Sequence, residues 1–428
     1  MLKTEKSYWI TIAASIVVGG AAGIAISIYR YFVENAAIFM DVFYRNAAKT
    51  WWLLIVLFLF LAGAGLLCGW LVRHENYISG SGVPQTQQEI INPSERNWLK
   101  LIAYKIFGGV LCLGAGLSLG REGPSVQIGS LVGASVKKMF KTEIDFKLLF
   151  GCGAGAGLAA ALNAPLAGAM FAIEELYKKL SPLTLVCVLL ASITSTMVTE
   201  KLFGIAPLIK IAEFPVPKVT EYGIIILIGV LAGVLGAFFC KSYFWLYDRC
   251  QSIDGKLKFV GIFLIAGIFG LTTPQLLGVR EGCFATSAIQ NSLLLWVVVL
   301  FLLKWLFTMV SMVSNAPGGI FVPLLGLGML LGLIAAKSCA ALGITTDLNM
   351  IMVLVMGGYF TAIIRAPLTA VALTAELTNS FVCFLPLAVV CVAAMLTADF
   401  LGTRPIYEEL VERSLAKEKK ERLENCDV

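Results

Sequence analysis

The sequence predicts an all-α integral membrane protein that crosses the bilayer many times and is built from two homologous halves. Three observations predict it. Hydrophobic residues make up 58% of the 428 and charged residues only 14%, against about 25% charged in soluble domains. Long runs without any charge recur along the chain. Two pairs of glycine- and proline-bearing motifs repeat in the same order about 200 residues apart.

Charge-free runs cover Ser7 to Tyr29, Thr50 to Val72, Leu148 to Ile173, Leu180 to Thr199, Tyr222 to Cys240, Phe259 to Val279, Trp305 to Ala336 and Leu377 to Ala398. A helix needs about 20 apolar residues to cross the hydrocarbon core, so several of these runs are spans. The first run follows Met-Leu-Lys-Thr-Glu-Lys. It is too long for a signal-peptide core and lacks a cleavage site, so it reads as a retained first helix with Lys3 and Lys6 inside.

The net charge of +6 is small for this length, and the basic residues form no stripe. No nucleic-acid partner is expected. Lys137, Lys138, Lys141 and Lys147 read as a solvated cytoplasmic loop. The 11 cysteines include no C-x-x-C pair. Those in apolar runs, such as Cys68, Cys112, Cys187 and Cys391, behave as small hydrophobes. Neither a disulfide framework, a metal site nor a cofactor is expected. The single histidine, His74, sits between Arg73 and Glu75 at the end of an apolar run and reads as an interfacial polar residue.

One membrane domain, 1–403, precedes a short charged segment, 404–428, read as a cytoplasmic helix with no regulatory domain after it. Within the domain, apolar segments such as Ile106 to Gly120 and Val126 to Val136 are shorter than a span, and Ser314 to Gly319 breaks a long run. Broken helices at membrane depth occur where backbone is buried in protein or lines a cavity, and they point to a transport site.

The repeat locates the two halves. Gly120 to Gly133 reads GREGPSVQIGSLVG and Gly319 to Gly332 reads GIFVPLLGLGMLLG. Each has Gly, then Pro four on, then Gly five and nine beyond that. Asn163 to Glu174 reads NAPLAGAMFAIE and Arg365 to Glu376 reads RAPLTAVALTAE, with a glutamate nine after the proline. The halves run from about 7 to 205 and from about 220 to 403. Such halves are commonly inverted, with the substrate site at their interface.

Three motifs carry the chemistry. Gly80-Ser81-Gly82-Val83-Pro84 leaves backbone amides uncovered at a helix start, where free donors and the helix dipole attract anions. Ser81 adds a hydroxyl donor. A cradle without a full positive charge suits transport, because the ion must leave again. Gly120-Arg121-Glu122-Gly123-Pro124 puts a charged pair between apolar segments, and intramembrane ionisable residues default to functional roles. A carboxylate beside anion-seeking helix ends can occupy the anion site itself and swing away when protonated. The alternative is a structural Arg121–Glu122 ion pair. Gly319-Ile320-Phe321-Val322-Pro323 repeats this segment without charge, and its amides can face the same anion.

In order and spacing these motifs resemble the three signatures of the CLC family of chloride channels and chloride/proton antiporters, over nearly the whole membrane domain. Arg404-Pro405-Ile406-Tyr407 also resembles the family segment that delivers a tyrosine hydroxyl to the central anion. The resemblance implies that Ser81, Tyr407 and the amides of Ile320 and Phe321 hold the anion, and that Glu122 is the external gate. It implies an all-helical fold of inverted halves meeting at that site, in homodimers with one pathway per subunit. Glu122 occurs in channels and antiporters alike. The family register after Asn163-Ala164-Pro165 places the antiporters' internal proton glutamate at Glu175 rather than Glu174. A proton crossing an apolar domain needs such an ionisable foothold, although Glu175 could also be a helix-end carboxylate near Lys178 and Lys179. The expected function is chloride/proton antiport, with a passive channel of the same fold as the alternative. Ser81 goes with chloride preference in the family, and the absence of cystathionine-synthase-type domains fits a prokaryotic member. A multi-pass protein of the cell membrane with both termini cytoplasmic is expected.

Other signals read as decoys. Gly116-Leu117-Ser118-Leu119-Gly120 matches G-x-S-x-G but lies in an apolar helix, with His74 as the one histidine. Without H-E-x-x-H or a P-loop, neither a metalloprotease nor an ATP-driven pump is expected, and the chain reads as no enzyme. Gly278-Val279-Arg280-Glu281-Gly282 imitates the Glu122 motif without its proline and reads as a loop. Gly151, Gly153, Gly155 and Gly157, like Gly19 and Gly23, read as close-packing stripes. Glu376 reads as structural.

Overall fold

A computed structural model describes residues 5–426 except 95, 140–143, 206–208, 213–214, 216, 279–280 and 345. Lys3, Lys141, Val279 and Arg280 of the readings above lie outside the described residues.

Helices carry the described chain, and two hydrogen-bonded glycines supply its isolated β-bridge. The first half holds α1 (Glu5–Ala47), α2 (Trp51–His74), α3 (Val83–Ile91), α4 (Trp98–Gly114), α5 (Glu122–Met139), α6 (Phe146–Leu162), α7 (Pro165–Phe171) and α8 (Pro182–Phe203). The second holds α9 (Tyr222–Cys250), α10 (Gly255–Thr272), α11 (Ser287–Gln290), α12 (Leu294–Val313), α13 (Phe321–Ala341), α14 (Leu348–Ile364), α15 (Pro367–Thr378) and α16 (Phe384–Phe400). α17 (Ile406–Cys426) follows. Eight described helices are long and apolar enough to span a membrane. α1 does not end with the uncharged run at Tyr29. It continues through Arg30, Glu34 and Asp41, whose charges are satisfied in pairs on the helix surface.

The halves repeat the same packing. α5 lies on α6 as α13 lies on α14, and α1 lies on α8 as α9 lies on α16. Small residues permit this where apolar burial alone drives nothing in lipid. A Cβ on Gly19 would fall 2.4 Å from the Ala191 carbonyl oxygen, and one on Gly229 2.9 Å from that of Val390. The stripe on α6 serves two faces. Gly153 and Gly157 meet the backbone of α5, while Gly151 faces the Tyr177 ring and Gly155 faces Gly168 of α7.

Two uncharged runs are broken in space. α6 stops at Asn163, in the left-handed conformation with φ 56°, before Pro165 starts α7. α12 stops before Asn315, with φ 59°, and α13 begins at Phe321. Each break places a helix start inside the domain.

The matched carboxylates tie the halves together. Glu376 at the end of α15 accepts from the amides of Leu166 (3.0 Å) and Ala167 (2.8 Å) at the start of α7. Glu174, just beyond α7, accepts from Leu368 N (3.1 Å), Thr369 N (2.8 Å) and the Thr369 hydroxyl (2.8 Å) at the start of α15. Each half therefore caps a helix of the other. Glu376→Ala should lower stability by about 1–2 kcal/mol, the cost of losing a helix N-cap. Thermal unfolding in detergent would measure it, and an unchanged midpoint would count against the clasp.

Candidate functional site

The three motifs converge where the broken helices begin. Gly120 and Gly319 exchange backbone hydrogen bonds, at 2.8 and 2.6 Å, in an antiparallel bridge across the interface of the halves. Gly80 donates to the Asn315 carbonyl at 2.8 Å and accepts from Gly318 at 3.1 Å. The approach leaves no room for side chains: a Cβ on Gly123 would lie 2.7 Å from Gly319 Cα and 2.8 Å from the Ser81 hydroxyl oxygen.

Ser81 sits in the turn before α3. Gly80 and Gly82 flank it with φ of 58° and 93°, left-handed values that side chains resist and glycine accepts. A buried lysine holds this turn from behind. Lys105 of α4 is fully buried and donates to the carbonyls of Ile78 (2.8 Å) and Gly80 (2.9 Å). Its repeat mate, Lys304 of α12, is equally buried and donates to the Leu276 carbonyl at 2.9 Å. A buried ammonium is costly unless hydrogen-bonded, and here carbonyls of the two turns satisfy it. The sequence carried the signal: one lysine in each half, at the offset of the glycine motif.

Glu122 opens α5 and is 1% exposed. Its carboxylate lies on the N-terminus of α13, accepting from Phe321 N at 2.7 Å and Val322 N at 3.2 Å. The structure thus adds Val322 to the amides named from sequence. Ile320, whose amide the sequence also named, caps α13 and lines the neighbouring cavity. Arg121 turns elsewhere: it donates to Glu34 of α1 at 2.9 Å and to the Ala161 carbonyl at 3.0 Å. The ion pair that the sequence left open for Arg121 is formed with Glu34, which Arg30 also binds at 2.7 Å.

Tyr407, in the first turn of α17, is fully buried, and its hydroxyl has no hydrogen-bond partner among the described residues. A cavity of about 660 Å³ is lined by Ser81, Ile320 and Tyr407, with Arg413 and Tyr247 further out. Phe321 packs edge-on to Phe171 (5.5 Å) and Phe360 (4.9 Å) and 6.1 Å from the Tyr407 ring. The Ser81 hydroxyl and the α13 amides, none of them carrying a full charge, suit a small anion that must not be held too tightly. Arg365 fixes the linker to Tyr407. It donates to Asp399 at 2.7 Å and to the Thr403 carbonyl and hydroxyl at 3.0 and 2.8 Å.

Glu175 lies apart from this cluster. Past Phe171 the helix widens into a π turn over Ala172–Tyr177, a rare form that recurs at functional positions. Glu174 and Glu175 consequently face different neighbours. Glu174 caps α15, as above. Glu175 is 4% exposed, and Gln87 of α3 donates to its carboxylate at 2.8 Å and to its carbonyl at 3.1 Å. Ser81 in the turn before α3 and Gln87 in its middle therefore belong to one short segment. A cavity of about 1110 Å³, lined by Gln87, Glu175, Lys178 and Glu408, reaches Glu175.

Residues 64–399 match the model of the family described as voltage gated chloride channel. The chain is 34% identical to the H(+)/Cl(-) exchange transporter ClcA of Vibrio parahaemolyticus, over 80% of this chain and 76% of that protein. It is 31% identical to the transporter of the same name from Cronobacter sakazakii, over 99% and 93%. A crystal structure of a slow cyanobacterial Cl-/H+ antiporter superposes with a TM-score of 0.89 at 31% identity, over 96% of this chain and 99% of that one. Motifs, architecture and relatives agree: the chain belongs to the voltage-gated chloride channel, or CLC, family.

Proposed function

We propose that the chain is a chloride/proton antiporter of the cell membrane. The observation that carries this is the carboxylate of Glu122 seated on the amides of Phe321 and Val322. An ionisable group occupies the helix end that attracts anions, so proton binding and anion binding compete for one place. Chloride is held by the Ser81 and Tyr407 hydroxyls and the α13 amides, and Glu122 leaves when protonated. Glu175 passes protons to and from the opposite side; its burial beside a solvent-reaching cavity supports that role. The relatives named as exchangers support antiport over the passive channel.

The anion and proton groups all lie within one chain. This supports one complete pathway per subunit, and the homodimer is inferred from the family alone. Residues 1–403 form the transport domain, and 404–428 carry Tyr407 in and then run out to the cytoplasm, where both termini lie.

Reconstitution into liposomes tests the function. With an imposed chloride gradient, the protein should drive protons uphill, and Glu175→Gln should abolish proton movement while chloride still flows. Chloride flux without proton movement in the unaltered protein would make it a channel.

A further inference from the structure

Glu175 is buried, yet its protons must come from water. Beside the larger cavity, a second one of about 600 Å³ also reaches Glu175, and both are lined by Lys178 and Glu408. Lys178 and Glu408 form an ion pair joining the end of the π turn to the first turn of α17. Lys178 ends the π turn in the left-handed conformation, with φ 52°. Glu408 is 43% exposed, whereas Glu175 is 4% exposed. One carboxylate thus meets solvent and borders both spaces that lead to the buried one. It also directly follows Tyr407, so a single helical turn adjoins the anion cavity and the proton port.

We propose that Glu408 relays protons between solvent and Glu175, with Lys178 as its tether. This rests on the assignment of Glu175 to proton transfer. The step balances simply. Glu408 takes a proton from solvent and releases its hold on Lys178. The proton passes through cavity water to the Glu175 carboxylate, and ionised Glu408 pairs with Lys178 again. Proton carriers need a group that can exist in both forms within reach of water. The other charged groups bordering the two cavities are Glu174, Asp145, Lys147, Lys179, Arg365 and Glu412. Glu174 and Arg365 are committed to α15 and to the Asp399–Thr403 segment. That leaves Glu408 as the carboxylate that borders both spaces and whose ion pair stands beside Glu175.

The full-length protein in liposomes tests this by the ratio of protons to chloride moved under a chloride gradient. Glu408→Gln should cut proton flux by roughly a hundredfold, the low end of what a positioned proton carrier supplies, and so lower the ratio. Glu408→Asp should restore most of it, which a purely structural role would not predict. Lys178→Met should shift the pH dependence of proton flux, because the carboxylate loses its cation. Glu175→Gln runs alongside. If it abolishes proton movement while Glu408→Gln keeps the ratio of the unaltered protein, the relay is wrong and Glu175 stands. If Glu175→Gln leaves proton movement intact, the assignment of Glu175 fails and the relay to it fails too.

Discussion

Glu122→Gln should abolish chloride-driven proton movement and leave a chloride leak. The amide keeps the shape of the side chain, so packing around α5 and α13 is preserved, but it takes up no proton at working pH. It also brings no charge to the amides of Phe321 and Val322, which now receive the carboxylate at 2.7 and 3.2 Å. A charge at a partly buried helix terminus is worth up to about 2 kcal/mol. Chloride competes against an occupant of that strength, and against a weaker one in the variant. Calorimetry should therefore show tighter chloride binding to the purified variant, by up to roughly thirtyfold if the whole term is recovered. Persistent proton pumping by Glu122→Gln would move the coupling group elsewhere and overturn the reading of this site.

Gly153→Val should prevent correct folding. A Cβ at that position would fall 2.1 Å from the Gly129 carbonyl oxygen, and one at Gly129 would fall 2.1 Å from that of Gly153. Both obstacles are backbone, so no rotamer change relieves them. Overpacking a core costs about 1–3 kcal/mol when side chains yield. Here two helices must separate, and the loss should exceed that range. Size-exclusion profiles and unfolding temperatures in detergent would record it. Gly63→Ala is the matched control, because nothing lies within 4 Å of its Cβ position, and it should behave as the unaltered protein does. Normal stability of Gly153→Val would mean that α5 and α6 cross less closely than described.

Much of the architecture was legible because lipid enforces simple rules. Uncharged runs marked spans, and the paired motifs marked the halves whose equivalent helices pack alike. One run misled by continuity: Leu148 to Ile173 contains a break, set by left-handed Asn163 rather than by any loss of hydrophobicity, whereas Ser314 to Gly319 announced the break between α12 and α13. The turns that meet at Gly80, Gly120 and Gly319 were legible through their glycines. Their supports were harder to see. Lys105 has one sign, its mate Lys304 at the repeat offset, but the carbonyls that satisfy it belong to a distant turn. Gln87 is an ordinary amide until α3 is laid against the π turn. Val322 was missed because the offset of a carboxylate along a helix start depends on how the two helices meet. Arg121 found Glu34 instead of Glu122 because α1 runs past it, a tertiary fact invisible to local sequence.

The crossed carboxylates bear on how the protein is made. A ribosome delivers α7 long before α15, and Glu376 is the acceptor for the first amides of α7. Until that residue is synthesised, the leading half sits in the bilayer with one helix start incomplete. The trailing half in turn needs Glu174 to complete α15. Insertion can proceed span by span, but the finished form is reached only jointly. Two fragments cut between α8 and α9 would each be stranded alone, and should regain order only when produced together in one membrane.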